Sequence, residues 1–242
     1  MFPRSSGIRA PEPREWILGA LYLPVFLFFL NFAILTYFPA LGFPLTEPRN
    51  YFFANLLYMT VNFAVMLLIF RRTLWQSLRE FEGKMLLSVL IGFGMCYGAN
   101  LVLTTAYTVL DIMPENYNQE AVNSLLGGYP LAMTLCTVVL SPLAEECLFR
   151  GVLFAPLARR CLPAAYALSM FLFSGIHVFQ FLGSMTAANT ILCLSLYLPA
   201  SFSLCWVYQK TGNIWACIFL HMFINFQSVL ASLLRSLMQA FL

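Results

Sequence analysis

Charged residues are scarce in this sequence: only 10% of its 242 positions are Asp, Glu, Lys or Arg, while 61% are hydrophobic. A soluble domain is roughly half apolar and a quarter charged, so this composition excludes an ordinary soluble protein. The seven cysteines include no CxxC pair, and they read as small apolar residues rather than as a disulfide framework. Repeats, low-complexity tracts and long polar linkers are also lacking, which predicts a single domain over residues 1–242.

Long apolar runs occupy the positions where charge is missing. Seven runs have about the 20 residues that a helix needs to cross a bilayer core: 16–38, 51–70, 85–110, 130–158, 163–181, 187–208 and 213–237. They predict an all-α, polytopic transmembrane helix bundle of seven spans, or eight if one run conceals a break. The stretch TLWQSLREFEGK predicts a short helix at the membrane interface, and residues 111–130 predict the longest loop.

Positive charge is divided unequally between the two sides of the predicted spans. One side holds ten of the 13 basic residues: Arg4, Arg9, Arg14, Arg71, Arg72, Arg79, Lys84, Arg159, Arg160 and Lys210. Because cytoplasmic loops carry the excess of Lys and Arg, the N-terminus is predicted to be cytoplasmic. Short loops without a soluble domain favour a bacterial inner membrane, and the expected surroundings are a lipid bilayer, with no nucleic-acid partner.

Three charged residues interrupt the fourth apolar run. Glu145, Glu146 and Arg150 lie within it, where a central charge costs about 2.5–3.5 kcal/mol on insertion scales. Glu146 and Arg150 are four residues apart on one helix face and are predicted to form an ion pair, whereas Glu145 is rotated by about 100°. Pro142 is expected to bend the helix beside this pair. One carboxylate is therefore structural, and the other is available for chemistry.

Both histidines of the sequence also lie in predicted spans, His177 in the fifth and His221 in the seventh. Phe173 precedes His177 by one turn and Asn225 follows His221 by one turn, so each pair shares a helix face. At a rise of 1.5 Å per residue, these polar groups and Glu145 lie about 12–21 Å from the cytoplasmic ends of their spans. Three helices are therefore predicted to bring polar side chains to one layer of the membrane.

These residues occur in three motifs that resemble the CAAX-protease and bacteriocin-processing family, which includes the type II CAAX prenyl endopeptidases. EECLFR is similar to the family's EExxxR motif, FSGIH to FxxxH and HMFIN to HxxxN, in the family's order within about residues 116–230. The resemblance implies an intramembrane endopeptidase that acts on a membrane-associated or lipidated peptide or protein without a metal cofactor. It also implies that Glu145 and His177 activate water, that His221 and Asn225 hold the oxyanion, and that Glu146 and Arg150 support the site.

The residues themselves leave two alternative functions open. A glutamate and two histidines are also a ligand set of catalytic zinc, although the sequence lacks HExxH and Asn225 would then have no role. A non-enzymatic immunity or transport protein could use the same polar cluster to clamp its helices or to conduct protons. Transporters, however, usually show paired repeats and longer chains.

Overall fold

The computed structural model describes residues 8–240, and within that range the chain forms helices and turns without a strand. The described residues form nine helices: α1 (Pro13–Ala40), α2 (Pro48–Ile69), α3 (Arg71–Arg79), α4 (Gly83–Val109), α5 (Tyr117–Gly128), α6 (Pro130–Ala158), α7 (Leu162–Ile176), α8 (Ala187–Thr211) and α9 (Ile214–Ala240). Six of these helices are long and apolar enough to cross a membrane, and α7 is a shorter apolar helix. The predicted all-α polytopic bundle is confirmed, and the chain is an integral membrane protein. Arg4, which contributed to the predicted orientation, lies outside the described residues.

Residues 111–130 do not form the long loop that the sequence predicted. Most of this stretch is helix α5, which begins after Asn116. The Asn116 side chain accepts a hydrogen bond from the backbone N–H of Gln119 at 3.1 Å and so caps the helix. The prediction of a loop was therefore wrong, because Asn116 is a capping residue that starts a helix.

The predicted fifth span, 163–181, is longer than the helix that forms there. Helix α7 ends at Ile176, and a short 3₁₀ helix follows at Phe179–Ser184. The backbone N–H of His177 donates to Ser174, and the imidazole Nδ1 bonds to the carbonyl of Phe173 instead. His177 therefore lies at the C-terminal end of α7, one residue past its last helical residue, although the apolar sequence continues.

Helix α6 lies at the centre of the bundle. It packs against α1, α2, α7 and α9, and every residue from Pro142 to Val152 is buried. Its three charged side chains are thus surrounded by protein, which avoids the cost of exposing a charge to lipid.

Proline shapes the contact between α6 and α1. Pro156 has no N–H to donate to the carbonyl of Val152, one helical turn earlier, and the indole Nε1 of Trp16 donates to that carbonyl at 3.0 Å. Gly19 allows the close approach, because a Cβ at this position would lie 2.7 Å from Cγ2 of Val152. The N-terminal helix is therefore fixed to the helix that carries the glutamates.

The predicted interfacial helix is α3, a short helix that follows α2 directly. Trp75 and Leu78 are exposed, as an interfacial position requires, while Leu74 faces the protein. The buried carboxylate of Glu15 accepts hydrogen bonds from the backbone N–H groups of Arg72 and Thr73 in its first turn. Helix α3 is thus capped by a residue of α1.

Candidate active site

A cavity of about 920 Å³ lies beside α6 and is lined by residues of eight of the nine described helices. Four of the predicted site residues line it: Glu145, His177, His221 and Asn225. They come from α6, from the end of α7 and from α9, so the predicted convergence of three helices is observed. The remaining two, Glu146 and Arg150, lie behind the cavity wall.

Glu146 and Arg150 form the predicted ion pair. Nη1 of Arg150 donates to Oε1 of Glu146 at 3.0 Å, and neither side chain is exposed. Nη2 of Arg150 donates to the carbonyl of Ser201 on α8 at 3.2 Å, and the guanidinium lies 4.7 Å from the ring centroid of Phe173. Arg150 therefore joins α6 to α7 and α8 while it neutralises Glu146.

Glu146 has a second partner that helix periodicity did not reveal. Nδ1 of His221 lies 2.8 Å from Oε1 of Glu146, and because a carboxylate accepts, we assign the imidazole proton to Nδ1. Nε2 then faces Glu145, 3.9 Å from its Oε2. Glu146 thus orients the imidazole of His221 toward Glu145, as carboxylates orient imidazoles in many catalytic sites.

His177 is held by Phe173 and by an aromatic residue that the motifs do not include. Its Nδ1 donates a hydrogen bond to the carbonyl of Phe173 at 2.8 Å. Nε2 of the neutral imidazole therefore carries no hydrogen and can accept a hydrogen bond. The ring stacks on Tyr197 at a centroid distance of 4.5 Å. The Tyr197 hydroxyl in turn donates to Oδ1 of Asn116 at 3.0 Å. No sequence signal marked Tyr197, because one tyrosine in an apolar run is unremarkable.

A break in the hydrogen bonding of α6 orients Asn225. In the wide helical turn Cys136–Leu140, the N–H of Ser141 donates to the carbonyl of Cys136 instead of that of Thr137. The next residue, Pro142, has no N–H, so the Thr137 carbonyl loses both of its helical donors. Nδ2 of Asn225 donates to this carbonyl at 2.8 Å. One amide hydrogen of Asn225 is therefore fixed, and its second hydrogen remains available beside the cavity.

The zinc alternative requires three side chains at coordinating distance from one point. Within residues 8–240, no three His, Cys, Asp or Glu side chains are close enough to share a metal ion. His221 directs Nδ1 to Glu146, while His177 directs Nδ1 to a backbone carbonyl. These contacts leave Nε2 of each imidazole without a hydrogen, a form that suits a proton acceptor and a metal ligand alike.

Comparison with known proteins agrees with the motifs. Residues 127–227 match the family described as Type II CAAX prenyl endopeptidase Rce1-like, a range that includes all three motifs. The predicted family resemblance is confirmed. Over 166 residues the chain is also 27% identical to "Putative membrane peptidase YdiL" of Bacillus subtilis, an alignment that covers 66% of this chain and 64% of that relative. No solved structure matches the chain.

Proposed function

We propose that this protein is an intramembrane endopeptidase in which Glu145 activates water to hydrolyse a peptide bond of a membrane-associated or lipidated peptide or protein. The observation that carries the proposal is the position of Glu145 on the cavity wall, with its Oε2 3.9 Å from Nε2 of His221. The family match and the name of the Bacillus subtilis relative support peptidase activity. The catalytic core of the proposal is residues 116–230.

Glu145 is the proposed general base. Its Oε2 is buried and has no hydrogen-bond partner among the described residues, so it can accept a proton from water. His177 offers Nε2 as a second acceptor for the same water. As the water oxygen bonds to the scissile carbonyl carbon, Glu145 takes one proton. It returns this proton to the leaving nitrogen when the C–N bond breaks.

Asn225 and His221 are the proposed donors to the oxyanion that forms on the carbonyl oxygen. The second amide hydrogen of Asn225 is available because the first is committed to Thr137. Nε2 of His221 can donate only when both ring nitrogens are protonated, and the adjacent carboxylate of Glu146 would stabilise that cation. Arg150 is a positioning residue, since it acts on the reaction only through Glu146. This scheme requires no metal ion.

The experiment compares Glu145→Gln with Glu120→Gln, a control glutamate that is exposed and outside the cavity. Membrane extracts from cells that lack the protein supply the peptides, and mass spectrometry identifies new termini after incubation with each purified variant. We expect new termini with the wild type and Glu120→Gln, and none with folded Glu145→Gln. Equal cleavage by all three would contradict the proposal.

A further inference from the structure

One wall of the cavity comes from α1 and α2, outside residues 127–227 that match the family. It carries Asn62, whose side chain is 1% exposed and whose Nδ2 has no hydrogen-bond partner among the described residues. A buried amide donor without an acceptor is unfavourable and uncommon in folded proteins. Asn62 therefore needs an explanation that the catalytic motifs do not provide.

The orientation of the Asn62 amide is set by a contact with α1. The Tyr22 hydroxyl donates to Oδ1 of Asn62 at 2.8 Å, so Nδ2 must point elsewhere. Asn55, on the same helix and in the same cavity wall, shows the alternative: its Nδ2 donates to the carbonyl of Tyr51, one turn earlier. Asn55 is satisfied by its own helix, whereas Asn62 retains two unused N–H groups.

A second contact makes this wall rigid. In the wide turn Val25–Phe29 of α1, the N–H of Leu30 donates to Val25, which leaves the Phe26 carbonyl without this donor. The hydroxyl of Tyr58, one turn before Asn62, donates to the Phe26 carbonyl at 2.9 Å. Two hydrogen bonds thus join α1 to α2, one at the oxygen of the Asn62 amide and one a turn earlier at Tyr58, so the unused donor is held in place before a ligand arrives.

The charge of the cavity limits what the amide can bind. No Lys or Arg from the described residues lines it, so a carboxylate of a ligand would find no cationic partner there. A neutral acceptor avoids that cost, and an extended peptide presents a neutral carbonyl at every residue. The chemical class that fits Asn62 is therefore a backbone carbonyl and not a free C-terminal carboxylate.

We propose that Nδ2 of Asn62 donates a hydrogen bond to a backbone carbonyl of the substrate, and that Asn62 is a substrate-binding residue contributed by the helices outside the family match. The inference rests on the proposed peptidase function. The contact is made equally in the ground state and the transition state, so its loss should raise KM and leave kcat nearly unchanged.

The test uses a farnesylated peptide with a fluorophore and a quencher on opposite sides of the modified cysteine. Asn62→Leu should raise KM by about tenfold, the effect of one buried hydrogen bond, while Asn55→Leu should change KM by less than about twofold. Because Asn62→Leu leaves the Tyr22 hydroxyl unpaired, the double variant Tyr22→Phe/Asn62→Leu removes both partners and should show the same KM. An unchanged KM, or a loss confined to kcat, would overturn the inference.

Binding measured without turnover separates this inference from the proposed function. In the Glu145→Gln background, fluorescence anisotropy with a dye-labelled version of the peptide gives a dissociation constant that Asn62→Leu should raise by a similar factor. Wild-type protein that neither cleaves nor binds the peptide would contradict the peptidase proposal together with the inference. If Asn62→Leu changes neither cleavage nor binding, only the inference about Asn62 is contradicted.

Discussion

Replacing Arg150 with Met should destabilise the protein because it leaves a buried carboxylate uncompensated. Methionine has a similar length, so the change removes the charge and its hydrogen bonds more than it removes volume. Glu146 is not exposed, its Oε2 has no partner among the described residues, and its Oε1 would keep only His221. Breaking a buried pair in this way costs about 3–5 kcal/mol. At roughly 2–4 °C per kcal/mol for chains of this length, the melting temperature should fall by about 6–20 °C.

The cysteines of the protein provide the assay for this prediction. Six of the seven free cysteines are buried, so a thiol-reactive dye reports unfolding in detergent as they become accessible. The double variant Glu146→Gln/Arg150→Met removes both charges and should recover most of the lost stability. If Arg150→Met melts within about 2 °C of the wild type, the ion pair does not stabilise the fold as inferred.

Four further predictions concern catalysis and orientation. Asn225→Ala should lower kcat by about 10²–10³-fold with little change in KM, the usual effect of removing one oxyanion donor. Pro142→Ala should lower kcat by a smaller factor, because it restores a backbone N–H that competes with Asn225 for the Thr137 carbonyl; an unchanged kcat would contradict this. Purified protein should keep cleaving after treatment with a strong chelator, whereas a stoichiometric zinc whose removal stops turnover would favour the metallopeptidase alternative. A reporter fused after Lys84 should be cytoplasmic and one fused near Glu120 should be outside, and the reverse pattern would refute the orientation.

The sequence by itself determined the features that depend on local pattern. Apolar runs of bilayer length located seven apolar helices, six of which are long enough to cross a membrane, whereas the fifth run forms the shorter helix α7. The spacing of four residues determined the Glu146–Arg150 pair, since positions one turn apart on a helix are neighbours. The motifs also identified Glu145, His177 and His221, which the fold brings to one cavity.

Only the tertiary structure decided how these helices meet. His221 reaches Glu146 across 75 positions of sequence, Asn225 reaches Thr137 across 88, and Tyr22 reaches Asn62 across 40. Helical periodicity fixes which residues share a face of one helix, but it does not fix the rotation or depth of that helix against another. Side-chain packing sets those two quantities, and they determine which nitrogen faces Glu145 and which amide hydrogens remain available to a substrate.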